Sequence, residues 1–352
     1  MVNNSVEQPS LHYSQHLGSV PRIKTDLWRM IGQDGGQSIN LGDQTLFVFS
    51  DSLLAPVGRM PERAAQPLPF HIDPNVPTLF LANCAGVTSG QDLRKSLARL
   101  SYLCDEDGYP KEILVATPEE RAGNIRFWPE HGILIDGRIF LYYLGIQALD
   151  PGSIWGFKNL GVGLAILDPQ TGESHRVLQD GDWRLWKIAA DDFHFGVQVI
   201  RHEEHLFIFG SVRKNYEVHG IISRVPISFV SDLAAYTYKD DLDNWVSDLP
   251  LAGSIGPTGP EYSVSFNRYL KKYLLVYVDP YYKDLFIRFA DQVSGPYSAP
   301  KKIGRLPHHP ESELIYMGFE HPEFSVEDGK RVFITYCQPF FSSNEIVELC
   351  FQ

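Results

Sequence analysis

Three observations predict an all-β chain, and together they predict a five-bladed β-propeller. A hairpin-like pattern recurs five times along the 352 residues. Short apolar runs suited to further strands lie between the copies. Helical periodicity is scarce.

The five copies are GQDGGQSINLGDQTLFVF from Gly32, FWPEHGILIDGRIFLYY from Phe127, FHFGVQVIRHEEHLFIF from Phe193, GPEYSVSFNRYLKKYLLVY from Gly259 and GFEHPEFSVEDGKRVFITY from Gly318. Each reads as two strands joined at Gly-Asp, Asp-Gly, Glu-Glu, Leu-Lys or Asp-Gly, flanked by β-branched and aromatic residues. The second strands begin near Leu46, Ile139, Leu206, Tyr273 and Val332, at intervals of about sixty to seventy residues after a longer first one. The Pro-rich stretch at 55–77 fits an insertion in that interval. LGVGLAILDPQTGE, HGIISRVPISFV, KDLFIRFADQ and EIVELCFQ supply outer strands. QDLRKSLARLSYL around 91–103 is the best helix candidate, and SDLAAYTY adds one turn. Sheets of this size arranged radially make a propeller. The chain, 1–352, is expected to form one such domain, with inner hairpins near 32–50, 127–143, 193–209, 259–277 and 318–336. The N-terminal SLHYSQHLGSVPRI is expected to complete the last blade.

Composition narrows the function. Hydrophobic residues are 43% and charged residues 21%, as in a soluble globular chain. The net charge of -12, without Lys/Arg runs longer than a pair, argues against nucleic acid as a partner. No stretch approaches a membrane span, so no membrane partner is expected. No signal peptide is visible at MVNNSVEQPS, which fits a cytoplasmic protein or a secreted one whose leader has been removed. The four cysteines form no C-x-x-C, so ordinary thiols are expected rather than zinc or disulfides. No G-x-S-x-G occurs, and GVGLAI and GPTGP lack phosphate-loop spacing.

The first strand of each blade lines a propeller's channel, and its leading end faces one mouth. Those positions hold Asp34, Glu130 with His131, His194 with Asp191 and Asp192 before it, Glu261, and His321 with Glu323. Asp51 follows the first hairpin and returns beside Asp34. Crowded carboxylates raise one another's pKa, leaving a protonated acid beside an ionised carboxylate. Glycosidic cleavage needs such a pair. Asp34, Asp51, Glu130, Glu261 and Glu323 are therefore the catalytic candidates. Trp128, His131, His194, Tyr262 and His321 are the substrate-binding candidates. Phe193, Phe195, Phe319 and Trp155 are further aromatics that could stack on sugars. No cofactor is expected, apart from a structural calcium ion that the channel could hold.

GQDGGQSINLGDQTLFVFSDS resembles the opening of the domain of unknown function 4185 family, with Ser50-Asp51-Ser52 departing from its Gly-Asp-Thr-like motif. FWPEHGILIDGRIFLYY resembles that family's Trp-Pro segment. YSVSFNRYLKKYLLVY, GPYSAP and EHPEFS…VFITY resemble its later blocks. The resemblance covers roughly 30–340. It implies a five-bladed, endo-D-arabinanase-like glycoside hydrolase acting on furanose-containing oligo- or polysaccharide. It also implies that Asp34 is base or nucleophile and that Asp51 is its acid partner or tunes its pKa. Two other readings stay open. One is a non-catalytic propeller that binds carbohydrate or protein. The other is a metal-dependent polysaccharide lyase, with His131, His194 and His321 joining Glu323 around a cation.

Overall fold

The computed structural model describes residues 9–58, 77–150, 156–187, 193–214, 217–338 and 343–352. Most of the Pro-rich insertion, together with Trp155, Asp191 and Asp192, lies outside the described residues. The rest is antiparallel β almost throughout, divided as the repeats divide the sequence.

The N-terminal strand β1 (Leu11–Ser19) precedes the first unit. That unit contains β2 (Trp28–Asn40), β3 (Thr45–Pro56), β4 (Leu79–Leu81), β5 (Cys84–Thr88) and β6 (Ser101–Tyr102), paired in the order β2-β3-β5-β6 with β4 also on β3. The second contains β7 (Ile125–Ile135), β8 (Arg138–Ala148), β9 (Phe157–Leu167), β10 (Ser174–Arg176) and β11 (Arg184–Trp186). The third runs β12 (Phe193–His202), β13 (His205–Lys214), β14 (Glu217–Pro226), β15 (Thr237–Lys239) and β16 (Trp245–Val246). The fourth is β17 (Tyr262–Asn267), β18 (Lys272–Asp279), β19 (Asp284–Ala290) and β20 (Lys301–Arg305). The last is β21 (Tyr316–Glu320), β22 (Arg331–Gln338) and β23 (Ser343–Phe351).

β1 pairs antiparallel with β23, from Leu11 opposite Phe351 to Ser19 opposite Glu345. The N-terminal segment thus becomes the outer strand of the last unit. A single parallel pairing, Tyr262 with Gly318, links the fourth and last units into one eight-stranded sheet.

Local chemistry explains the hairpins. Asp136 and Gly137 join β7 to β8 with φ of 49° and 77°, the left-handed pair that a two-residue hairpin turn requires. The helix at 91–103 is shorter than its periodicity suggests. It forms only over α1 (Leu93–Leu97), capped by Asp92, because the chain returns to the sheet as β6 opposite Gly86 and Val87. A second helix, α2 (Pro118–Ala122), carries a capping box between Thr117 and Glu120. SDLAAYTY holds a 3-10 turn over Leu233–Ala235.

First strands touch around a circle: β2 on β7, β7 on β12, β12 on β17, and β17 on β21. The circle returns through β2 against β22 and β23. Each seam between neighbouring units has its own apolar core. Leu46 and Val48 meet Leu141 and Tyr143, and Tyr142 and Leu164 meet Phe195 and Ile208. Phe209 and Ile222 meet Tyr262 and Leu275, and Val276 and Ile287 meet Ile334 and Val347. Phe47 and Phe49 meet Phe324 and Ile346, which closes the ring. A buried Phe or Leu contributes about 1.5–3 kcal/mol. Each sheet gains that on both faces only when both neighbours are present.

Candidate active site

The β2–β3 register decides how Asp34 and Asp51 stand. Gln33 pairs with Ser52 and Gly35 with Phe49, so Asp34 faces Ser50 and Asp51 across a bulge. Gly35 and Gly36 hold left-handed backbone there, at φ of 85° and 114°. A Cβ on Gly35 would stand 3.0 Å from the Ser50 nitrogen. The two aspartates are therefore neighbours, close enough for Asp34 to raise the pKa of Asp51.

Asp34 is half-buried, and burial pushes its pKa up. The Gly35 N–H (2.7 Å from Oδ1) and the Tyr316 hydroxyl donate to it and pull the other way, as does the neighbouring Cys337 thiol. Asp51 is pushed up to about 7, chiefly by burial. Trp128 Nε1 donates to its Oδ1 at 2.9 Å, and Arg126 lies 3.7 Å from Oδ2. Glu130 is 2% exposed, with His194 Nε2 at 2.7 Å from Oε1 and no partner at Oε2. Glu261 is half-buried just before β17. Burial first, then the charges of Glu130 and Asp34, push its pKa well up. Three carboxylates from three units, Asp34, Glu130 and Glu261, thus share one electrostatic site. Tyr316 brings the last unit to the same level.

Four residues further along the strands lies a second level. Ser38 follows Asp34, Gln198 follows His194, Ser265 follows Glu261, and Glu320 follows Tyr316. His131 joins them from β7. Val199 N–H donates to His131 Nδ1 at 3.1 Å, so His131 Nε2 donates to Ser38 O at 3.0 Å. Ser38 Oγ donates to Glu323 at 2.9 Å, so His321 Nδ1 donates to Ser38 Oγ, also at 2.9 Å. His321 Nε2 then accepts from Thr335 Oγ1 at 2.8 Å. Gln198 bridges His131 (3.4 Å) and the Val264 N–H (3.5 Å), and Ser265 donates to Glu320 at 2.5 Å. Hydrogen bonds therefore link all five inner strands in a circle. Burial lowers His131 to about 4 and His321 to about 3, and raises Glu320 to about 7. Both histidines are neutral at pH 7.

This geometry corrects several sequence expectations. His321 and Glu323 belong to the deeper level, because the residue of the last unit that matches Asp34 is Tyr316. His131 is 7% exposed and His321 is fully buried, so neither presents a ring to substrate. Tyr262 is fully buried and donates its hydroxyl to Gly210 O at 2.7 Å, which makes it a core residue. Phe195 and Phe319 are core as well. Both nitrogens of His131 and of His321 are committed to protein partners, which does not fit a cation there. Among the described residues no group of three or more His, Cys, Asp or Glu is arranged to hold a metal ion. Asp34, Asp51, Glu130, Glu261, His194 and Trp128 do come together. Tyr316, Arg126 and Cys337 join them without having been expected.

Residues 23–346 match the family domain of unknown function DUF5005. The chain belongs to that family. This is a different family from the 4185 family that its motifs resemble. No curated protein matches the chain. Among solved structures, the DUF5005 chain is similar to a presumptive hydrolase from Bacteroides ovatus, at 15% identity and a TM-score of 0.61, covering 93% of this chain and 87% of that one. It is also similar to Zg3597, a family 117 glycoside hydrolase of the marine bacterium Zobellia galactanivorans. That match has 10% identity and a TM-score of 0.52, covering 97% of this chain and 92% of that one. The shared feature is the fold, an all-β propeller.

Proposed function

We propose that this protein is a glycoside hydrolase that works by carboxylate acid/base catalysis at one mouth of a five-bladed propeller. The circle of first strands and the core at each seam support the blade number. The observation that carries the activity is the meeting of Asp34, Glu130 and Glu261, from three units, beside Asp51.

The roles follow from the surroundings. Glu261, held protonated by burial and by two neighbouring carboxylates, donates a proton to the leaving oxygen. Asp34, whose pKa burial raises while the Tyr316 hydroxyl and the Gly35 N–H pull it back, serves as base or nucleophile. Asp51, near 7, gates that charge with pH. His194 holds one oxygen of Glu130, whose other oxygen is free to accept from a sugar hydroxyl. Trp128, anchored to Asp51, offers its ring as a wall. Glu323 drops out as the acid because Ser38 holds it at the deeper level. The likeness in fold to a family 117 glycoside hydrolase is compatible with this reading. The substrate we favour, from the motif resemblance, is a furanosidic, arabinan-type glycan.

Incubation with plant and mycobacterial arabinans, followed by chromatography of released oligosaccharides, tests the proposal. Cleavage should be lost in Asp34→Asn and Glu261→Gln. Cleavage that survives both changes overturns the assignment. Binding without cleavage of any glycan favours a non-catalytic carbohydrate-binding propeller.

A further inference from the structure

A groove of about 700 Å³ lies far from the carboxylates. Its walls are the β12–β13 turn, the β17–β18 hairpin end and the segment after β19. His202, Phe207, Trp245, Phe266 and Tyr273 line it, with Glu203 and Gln292 at its rim. β12 starts beside Glu130 and ends here, eight residues beyond His194. At about 3.3 Å per residue the groove is roughly 26 Å from the acidic cluster, on the opposite face. It occupies the seam between the third and fourth units.

Two features indicate what would fill it. Phe266 is 51% exposed at the end of β17, with its ring edge-on to Tyr273. Two of the charged groups at the groove are engaged by neighbours. Arg224 sits 4.2 Å over the Trp245 ring, and Asp291 is bonded to Lys272 at 2.6 Å. The Tyr273 hydroxyl meets His202 Nδ1 at 3.3 Å. A groove with an exposed ring, and with the carboxylates of Glu203 and Asp291 against one arginine, Arg224, laid on a Trp ring, does not draw an anionic ligand. It suits an uncharged one with both C–H faces and hydroxyls.

We propose that this groove is a second, non-catalytic site for a neutral oligosaccharide stretch. The proposal rests on the carbohydrate-active reading above. One strand of a polymeric substrate would stack on Phe266 while another reaches the carboxylates on the far face.

Affinity electrophoresis in gels cast with arabinan, arabinogalactan or xylan reads binding apart from catalysis. The Asp34→Asn protein serves as the inactive background. At least one gel should retard it, and adding Phe266→Ala should weaken the apparent affinity at least about fivefold, with unchanged thermal midpoint. Phe266→Trp should restore retardation. Retardation by none of the gels, or equal retardation with and without Phe266, overturns the groove. Catalysis that fails while Phe266-dependent retardation persists overturns only the hydrolase reading.

Discussion

Four residues separate Asp34 from Ser38, and the same interval separates His194 from Gln198, Glu261 from Ser265 and Tyr316 from Glu320. The deeper of these two levels is sealed and bonded from strand to strand. Its histidines are neutral, and each ring nitrogen has a partner. The outer level is half-open and crowded with like charge, and one buried Glu130 oxygen has no partner. A bare buried oxygen of this kind costs about 1–3 kcal/mol. One set of strands thus carries a satisfied layer that holds the ring together. Beside it lies an unsatisfied layer, where free energy is left available for a ligand to recover.

The sharpest way to break this contrast is Asp34→Asn. We expect kcat/KM to fall roughly 10²–10⁴-fold. The thermal midpoint should rise by about 2–4 °C as like-charge repulsion is relieved. Loss of activity together with loss of stability would place Asp34 in the satisfied layer instead. The reverse outcome is expected of His321→Ala. That change strands Ser38 and Thr335 and opens a cavity beside Phe47, costing about 2–4 kcal/mol in urea denaturation. Turnover per folded molecule should change far less. His194→Ala should lower kcat about tenfold with KM little changed, because it frees the Glu130 carboxylate to move.

The smallest effect is on stability against pH, where Asp51 of the outer level and the two histidines of the deeper one pull in opposite directions. Asp51 holds its proton up to about 7 in the folded chain and to 3.8 ordinarily. The native state is thus the more protonated one in that window, and stability falls as pH rises. His131 and His321 titrate at about 4 and about 3 when folded and at 6.5 ordinarily. Their contribution is complete above pH 6.5 and is lost as pH falls towards 4. Asp51→Asn should therefore stabilise the protein at pH 8 and leave it unchanged at pH 4, read from urea midpoints. A gain of equal size at both pH values would show that the ionisation of buried Asp51 is not the cause.

Much of the fold was legible because hairpins are local. The second strands begin within one residue of where the turn signals put them, at Thr45, Arg138, His205, Lys272 and Arg331. α2 was missed because five residues are too few for periodicity, although its cap signature TPEE stands in the sequence. The pairing of Asp34 with Asp51 followed from hairpin geometry alone. The last unit differs from expectation because its residue at that level, Tyr316, is a phenol, where the other four units offer a carboxylate or an imidazole. His321 and Glu323, an imidazole and a carboxylate further along the sequence, lie at the deeper level. The four-residue interval was visible in the sequence, but its meaning depends on knowing that both levels face one axis.

The pairing of β1 with β23 also has a consequence in time. Some three hundred residues must be made between the two, which at 5–20 residues per second takes roughly 15–60 s. β1 waits that long as an unpaired edge, the kind of strand on which chains aggregate. Its sequence, LHYSQHLGS, is well suited to waiting. Its middle residues are exposed even in the finished ring, and His, Ser and Gln outnumber its apolar side chains. The seam that closes last is thus fastened by a strand polar enough to remain in water until its partner is made.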